Sequence, residues 1–324
     1  MYKHTSLSII GSEVKGFSVI GLGFFIAIGW GLTFALTKES VVHVSPLLFV
    51  SLRFLVAALA LVPVLIWSRF YRAHSVTGSC EVITLQAVLS GALLGALLFT
   101  GYWLQSLGLQ STSASQAGFI MGLAPVLVPF LAIIFLRVTV PLRAWLGVLF
   151  VIAGLPLLSL DSALVMTSGT FYCIGSAILF AFHVVLLQYF LDTLSGLTLS
   201  FIQITATGLM SMVAVVCLEP VSLEGVQAVL ADSSVLSALL FCGVGATAVA
   251  TLVQCHLQQN LSIVKCALIF STEPVFAAIF GYFLLDERMT LLQSGGAALV
   301  FLGVLEAELG LIASVRLFKE AETS

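Results

Sequence analysis

The sequence predicts an all-α integral membrane protein: ten transmembrane helices in two inverted five-helix repeats, with both termini cytoplasmic. Three observations carry this expectation. The 324 residues are 60% hydrophobic and only 8% charged, against about 25% charged residues in soluble domains. Apolar stretches of about 20 residues, enough to cross a bilayer core, recur from end to end. The two halves of the chain also align with each other.

Charged, Pro/Gly or Ser-rich punctuation divides the chain into spans at about 16–37, 44–68, 83–108, 112–136 and 141–160 in the first half. In the second half they fall at about 168–191, 197–218, 233–258, 263–285 and 290–313. Lys38 closes the first, Arg69 the second, Arg137 the fourth, Asp161 the fifth, Asp192 the sixth and Asp286 the ninth. The run from Phe17 to Thr37 is longer than a signal-peptide core and has no A-x-A cleavage site, so it reads as a retained span. All ten runs are uniformly apolar, whereas barrel strands alternate over about ten residues.

With ten spans both termini share one side. The loops on that side carry Lys3, Lys15, Arg69, Arg72, Arg137, Arg143, Arg316 and Lys319, against Lys38 and Arg288 across the membrane. The positive-inside rule therefore puts the termini in the cytoplasm. A net charge of −3 offers no basic surface for nucleic acid. Of the six cysteines, Cys80 falls in a loop, and the rest lie in apolar runs without metal-ligand spacing. They read as reduced, buried packing residues, and neither a metal nor a cofactor is expected.

Aligning Pro125 with Pro274, an offset of 149, also pairs Gln110 with Gln259, Leu136 with Leu285, Gly147 with Gly296 and Gly154 with Gly303. One span earlier the same offset pairs Gln105 with Gln254. The halves are thus read as 1–161 and 162–324. Because five is odd, the second must enter from the opposite side, an arrangement recurrent in transporters, where exchanging the conformations of two similar halves alternates access.

Two stretches carry a resemblance. IAIGWGLTFALTKESVVHVSPLLFVSLRFLVAALALVP, Ile26 to Pro63, resembles the opening of an EamA-type half of the drug/metabolite transporter superfamily. KCALIFSTEPVFAAIFGYFLLDERMTLLQSGGAALVFLGVLE, Lys265 to Glu306, resembles the close of one. The resemblance covers nearly the whole chain and implies a ten-helix carrier of the cytoplasmic membrane, often for amino acids or their derivatives, with a central cavity. A bacterial source fits it and the short loops. Asp286 departs from the pattern, standing where a glycine commonly precedes Glu287.

A polar side chain in hydrocarbon is costly, so each should face the bundle interior or a wet cavity. Trp30, Thr33, Arg53, Tyr102, Gln105, His183, Gln254 and Glu273 are the candidates for substrate contact. Glu273, just before Pro274, reads either as a substrate, proton or cation site or as a brace that hydrogen-bonds a neighbouring helix or pairs with Lys265. Arg53 either attracts an anionic group or braces Glu39. Gln105 and Gln254 either line the cavity or hydrogen-bond to each other or to backbone. His183 and His256 read either as proton-coupling residues, His183 the better placed, or as neutral hydrogen-bonding residues. Pro125 and Pro274 are the expected kinks, with Pro129 a packing residue. Gln116, aligned with Lys265, reads as an interface residue or, with it, as the rim of a cytoplasmic vestibule.

An enzyme would need a catalytic set, and no aspartate falls inside a span. A pump driven by ATP would need a Walker-type GxxxxGK[ST], which is absent. The expectation is a secondary transporter of small metabolites, zwitterionic or nucleoside-like, with protons or a counter-substrate as partner. It sits in the lipid bilayer as a monomer or homodimer. The alternative is an uncoupled facilitator, channel or broad drug exporter on the same scaffold.

Overall fold

The computed structural model describes residues 6–73, 83–159, 167–220, 223–288, 290–292, 294–303 and 306. Among them all regular structure is helical. The first half contributes α1 (Ser6–Ser40), α2 (Pro46–Ala73), α3 (Leu85–Ser111), α4 (Ala114–Leu136) and α5 (Leu142–Ser159). The second contributes α6 (Ser168–Leu191), α7 (Gly196–Leu218), α8 (Ser233–Asn260), α9 (Ile263–Leu285) and α10 (Ser294–Gly303). A short helix, Leu223–Ala231, precedes α8.

Eight of these are long and apolar enough to cross a membrane, while α5 and α10 have shorter apolar segments, Ala144–Leu157 and Ser294–Gly303. Positions 293, 304, 305 and 307–313 of the expected tenth span lie outside the described residues, as do Lys3, Cys80, Asp161, Arg316 and Lys319. Large apolar side chains such as Phe25, Leu59, Trp67 and Leu291 are exposed on the outer surface. That is the surface expected when lipid, rather than water, is the solvent.

Local chemistry starts the helices. Thr84, Ser113, Thr167, Ser195, Asp232 and Ser262 each accept a hydrogen bond from a backbone amide of the first turn they precede. These caps satisfy N–H groups that a helix start leaves unpaired. The Ser234 hydroxyl, with the Ser234 and Val235 amides, holds the Asp232 carboxyl below its usual range.

The packing repeats itself when the halves are exchanged. Helix α2 packs on α8 as α7 packs on α3, and the second part of α9 packs on α1 as the second part of α4 packs on α6. At the crossing of α5 and α10, a methyl group on Gly154 would stand 2.7 Å from the Gly296 carbonyl, and one on Gly303 2.7 Å from that of Gly147. Gly154 and Gly303 are 149 apart, and so are Gly147 and Gly296. Small residues here let the backbones touch.

Two helices are broken. In α4 the first segment, Ala114–Met121, stops at Gly122 and Leu123–Leu136 follows. In α9 Ile263–Phe270 stops at the turn Ser271–Thr272 and Glu273–Leu285 follows. Pro125 and Pro274 fall in the first turns of the second segments, where a missing N–H removes no intrahelical bond. The breaks come just ahead of the prolines. At the α9 break the Ser271 hydroxyl donates to the Leu268 carbonyl at 2.6 Å and the Thr272 hydroxyl to that of Ile269 at 2.7 Å.

The second segments end alike, with Arg137 at φ 52° and Asp286 at φ 54°, both left-handed. This geometry explains why glycine suits the position before Glu287: only glycine enters that region without crowding its own Cβ. Asp286→Gly should therefore stabilise the protein by about 0.5–1 kcal/mol. Asp286→Val should destabilise it, and thermal unfolding in detergent reads both.

Candidate functional site

Breaks in α4 and α9 place half-helix ends inside the bundle, and a cavity of about 90 Å³ opens beside them. It has room for several waters. Its wall is drawn from α1, α2, α3, α4, α6, α8 and α9, so both halves contribute.

Seven of the eight expected contact residues line it: Trp30, Thr33, Tyr102, Gln105, His183, Gln254 and Glu273. Pro125 lines it as well. Gln105 and Gln254 do not bond to each other; among the described residues neither amide has a hydrogen-bond partner. Both are buried against protein but open onto the cavity. Glu273 opens the second segment of α9, so its carboxylate sits at the positive end of a half-helix dipole. It too has no hydrogen-bond partner among the described residues, and Arg53 is the charge that acts on it.

Arg53 lies one layer behind, 2% exposed. Its Nε donates to the Thr247 hydroxyl at 2.8 Å, and its guanidinium carbon stands 4.4 Å from the centre of the Tyr102 ring. Cation–π attraction and one charged hydrogen bond hold it there. Nη2 is buried without a hydrogen-bond partner. The expected brace to Glu39 is thus replaced by a tie to α8. Arginine reaches Thr247 because α2 packs directly on the α8 segment that carries it.

That segment, Phe241–Val249, is wound as a π-helix. Such winding is rare and concentrates at functional sites. The Trp30 indole donates to the Ala246 carbonyl inside it at 3.0 Å. Thr247 and Thr251 present hydroxyl-bearing side chains to the cavity. Sequence reasoning missed both threonines; the only signal was the run of small residues in FCGVGATAV, which resembles ordinary close packing.

His183, 3% exposed, bonds through Nε2 to the Gln203 side-chain oxygen at 2.8 Å. His256 is instead exposed and contacts Asn260. Phe54 packs edge-on to Tyr102, Tyr102 to Phe180, and Trp30 to Phe270, so aromatic rings frame the polar groups. Trp103, one residue on, stacks on Phe99 away from the cavity.

Two expectations need correction. Gln116 and Lys265 cannot share a vestibule, because they start α4 and α9 at opposite ends of the bundle, and neither lines the cavity. An offset that inverts a repeat also inverts the side on which its members lie. Cys217 is exposed rather than buried, unlike Cys173, Cys242, Cys255 and Cys266.

Helices long and apolar enough to cross a membrane, two of them broken around a polar and aromatic cavity inside the bundle, define a multi-pass membrane transport protein. The chain belongs to the EamA-like transporter family, whose profile it matches twice, over residues 17–160 and 167–306. The family comprises transporters, not enzymes. Two proteins of Archaeoglobus fulgidus, each described as an uncharacterized transporter, are similar. One is 28% identical over 280 residues, covering 86% of this chain and 82% of the relative. The other is 24% identical over 282 residues, covering 85% and 93%. A solved crystal structure shares the fold with a TM-score of 0.70 at 17% identity, over 90% of this chain and 96% of that one.

Thr247→Val should leave the Arg53 Nε buried without a partner and lower stability by about 1–3 kcal/mol. Thr247→Ser should retain most of it. Thermal unfolding of the two variants side by side tests the tie.

Proposed function

We propose that this chain is a secondary transporter that works by alternating access, carrying a small zwitterionic or neutral metabolite across the cytoplasmic membrane. Amino acids and nucleoside-like compounds are the cargo classes that suit the cavity. The observation that carries the reading is the meeting of two broken helices, α4 and α9, at one polar cavity, with their breaks and prolines in matching positions.

On this reading α1 to α10 are ten spans, 1–161 and 162–324 are inverted repeats, and both termini are cytoplasmic. The double family match, the reciprocal contacts of Gly154 and Gly303, and the paired left-handed Arg137 and Asp286 all support two related halves. Half-helices give such a carrier movable joints: the segments on either side of Gly122 and of Ser271–Thr272 can tilt separately. The two halves exchange conformations as the cavity opens to one side and then the other.

Cargo recognition follows from the wall. Glu273 supplies an acceptor for an ammonium group or a proton. Arg53 supplies a positive field one layer behind Tyr102. Gln105 and Gln254, each with two donors and an acceptor, suit amide or carboxylate groups from opposite sides. The surrounding rings pack against flat or apolar parts of the cargo.

Purified protein in liposomes should accumulate its cargo above equilibrium when given a proton gradient or a counter-substrate. A screen of amino acids, nucleosides and sugars by thermal shift selects the cargo, because a ligand bound only by the folded state raises its stability. Gln105→Ala, Gln254→Ala and Glu273→Gln should each lower uptake about tenfold or more while leaving unliganded unfolding within about 1 kcal/mol of wild type. Normal uptake by all three folded variants would sink the site, and flux that only ever equilibrates would indicate a facilitator.

A further inference from the structure

Among the described residues, matching positions at the two ends of the bundle carry different chemistry. At the end where α1, α3 and α9 finish, Lys38 Nζ donates to the carbonyls of Leu109 and Thr112, at 3.0 and 2.6 Å. These belong to the last turn of α3 and the residue after it. Three residues on, the Glu287 carboxylate receives the Ala114 amide at 2.8 Å, the Ser115 amide at 3.0 Å and the Ser115 hydroxyl. A cation thus sits on the carbonyl end of α3 and an anion on the amide end of α4, each matching the helix charge it meets. The tight α3–α4 corner, Thr112 and Ser113, is held from α1 on one side and from α9 on the other.

The matching positions at the opposite end lack both charges. An offset of 149 puts Val138 where Glu287 would be, and an offset of 150 puts Gln188 where Lys38 would be. The counterparts of Ala114 and Ser115 are Ile263 and Val264, at the start of α9, where Ser262 caps the Lys265 amide as Ser113 caps that of Gln116. Helices α6 and α8 are joined there by a neutral bond, Gln258 Nε2 to the Val184 carbonyl at 2.9 Å. Side-chain oxygens of Gln188 and Gln258 are buried without hydrogen-bond partners.

We infer that Lys38 and Glu287 form a one-sided gate. The pair closes the Lys38 end and biases the unloaded protein toward conformations closed there and accessible from the Lys265 end. Hydrogen bonds to charged groups are stronger ties than those between neutral amides, and opening the Lys38 end must break five of them, four to backbone and one to the Ser115 hydroxyl. Among the described residues, the positions that match Lys38 and Glu287 at the Lys265 end offer only the neutral Gln258–Val184 bond, and opening there relieves two unmatched oxygens. Similar halves would leave the two states balanced; the charged pair supplies the difference.

This inference rests on the alternating-access reading, so its test separates the two. In full-length protein whose six native cysteines are replaced, Leu98→Cys on the cavity wall reports access in liposomes to a charged, membrane-impermeant maleimide added to one face at a time. With the gate intact, labelling from the Lys265 face dominates. Glu287→Gln or Lys38→Gln should raise labelling from the Lys38 face about tenfold. Ser115→Ala, which removes one of the five ties and leaves both charges in place, should raise it less. Val138→Glu, which offers a carboxylate to the Ile263 and Val264 amides, should suppress labelling from the Lys265 face. It keeps the question open to test if Glu287→Gln does not fold. An unchanged ratio between faces in every folded variant would overturn the gate alone. Labelling from neither face in any folded variant would overturn alternating access and the gate with it.

Discussion

Everything in this structure depends on the rule that a backbone polar group in the bundle must find its partner inside the protein. Helices meet that rule automatically along their length. Interrupting one is possible only where other groups take over the freed carbonyls and amides. At the α9 break Ser271 and Thr272 do so with their own hydroxyls, on the carbonyls of Leu268 and Ile269. At Gly122 the chain turns with its amide still bonded to Gly118 and Phe119. The breaks are local solutions to a satisfaction problem, and the cavity forms where those solutions meet.

The same rule explains where the charged residues go. Glu273 is placed at a half-helix start, where the dipole favours an anion. Arg53 is held by Thr247 and the face of Tyr102. Neither would be tolerated against lipid at that depth. Their positions come from one half each, so the cavity built by two related halves is chemically uneven. Matching positions at the two ends show the same pattern, with Lys38 and Glu287 at one end and the uncharged Gln188 and Val138 at the other. Residues at matching positions of the two halves therefore differ in charge at the cavity and at the ends alike.

Much of the site was legible before the structure because burying polar groups in hydrocarbon is so unfavourable. Searching the spans for the few polar residues finds Gln105, Gln254, His183 and Glu273, and all four line the cavity. Arg53 was found by the same search, but its partner was not: Thr247 is 194 residues away. Thr251 and the π-wound stretch of α8 were missed, since threonine is cheap to bury and small residues read as packing. Gln116 and Lys265 were grouped by alignment, which carries no information about which end of the bundle each position occupies.

By itself the sequence determined the membrane as solvent, the helical class, the spacing of the two halves and the residues that must be hidden from lipid. These follow from local hydropathy and from identities at a fixed offset, neither of which needs a three-dimensional partner. Only the tertiary structure decided which polar groups meet: Trp30 with the Ala246 carbonyl, Arg53 with Thr247, His183 with Gln203, Glu287 with the start of α4. Such pairings depend on the rotation and depth of each helix against neighbours far away in the chain, and those are set by packing the whole bundle at once.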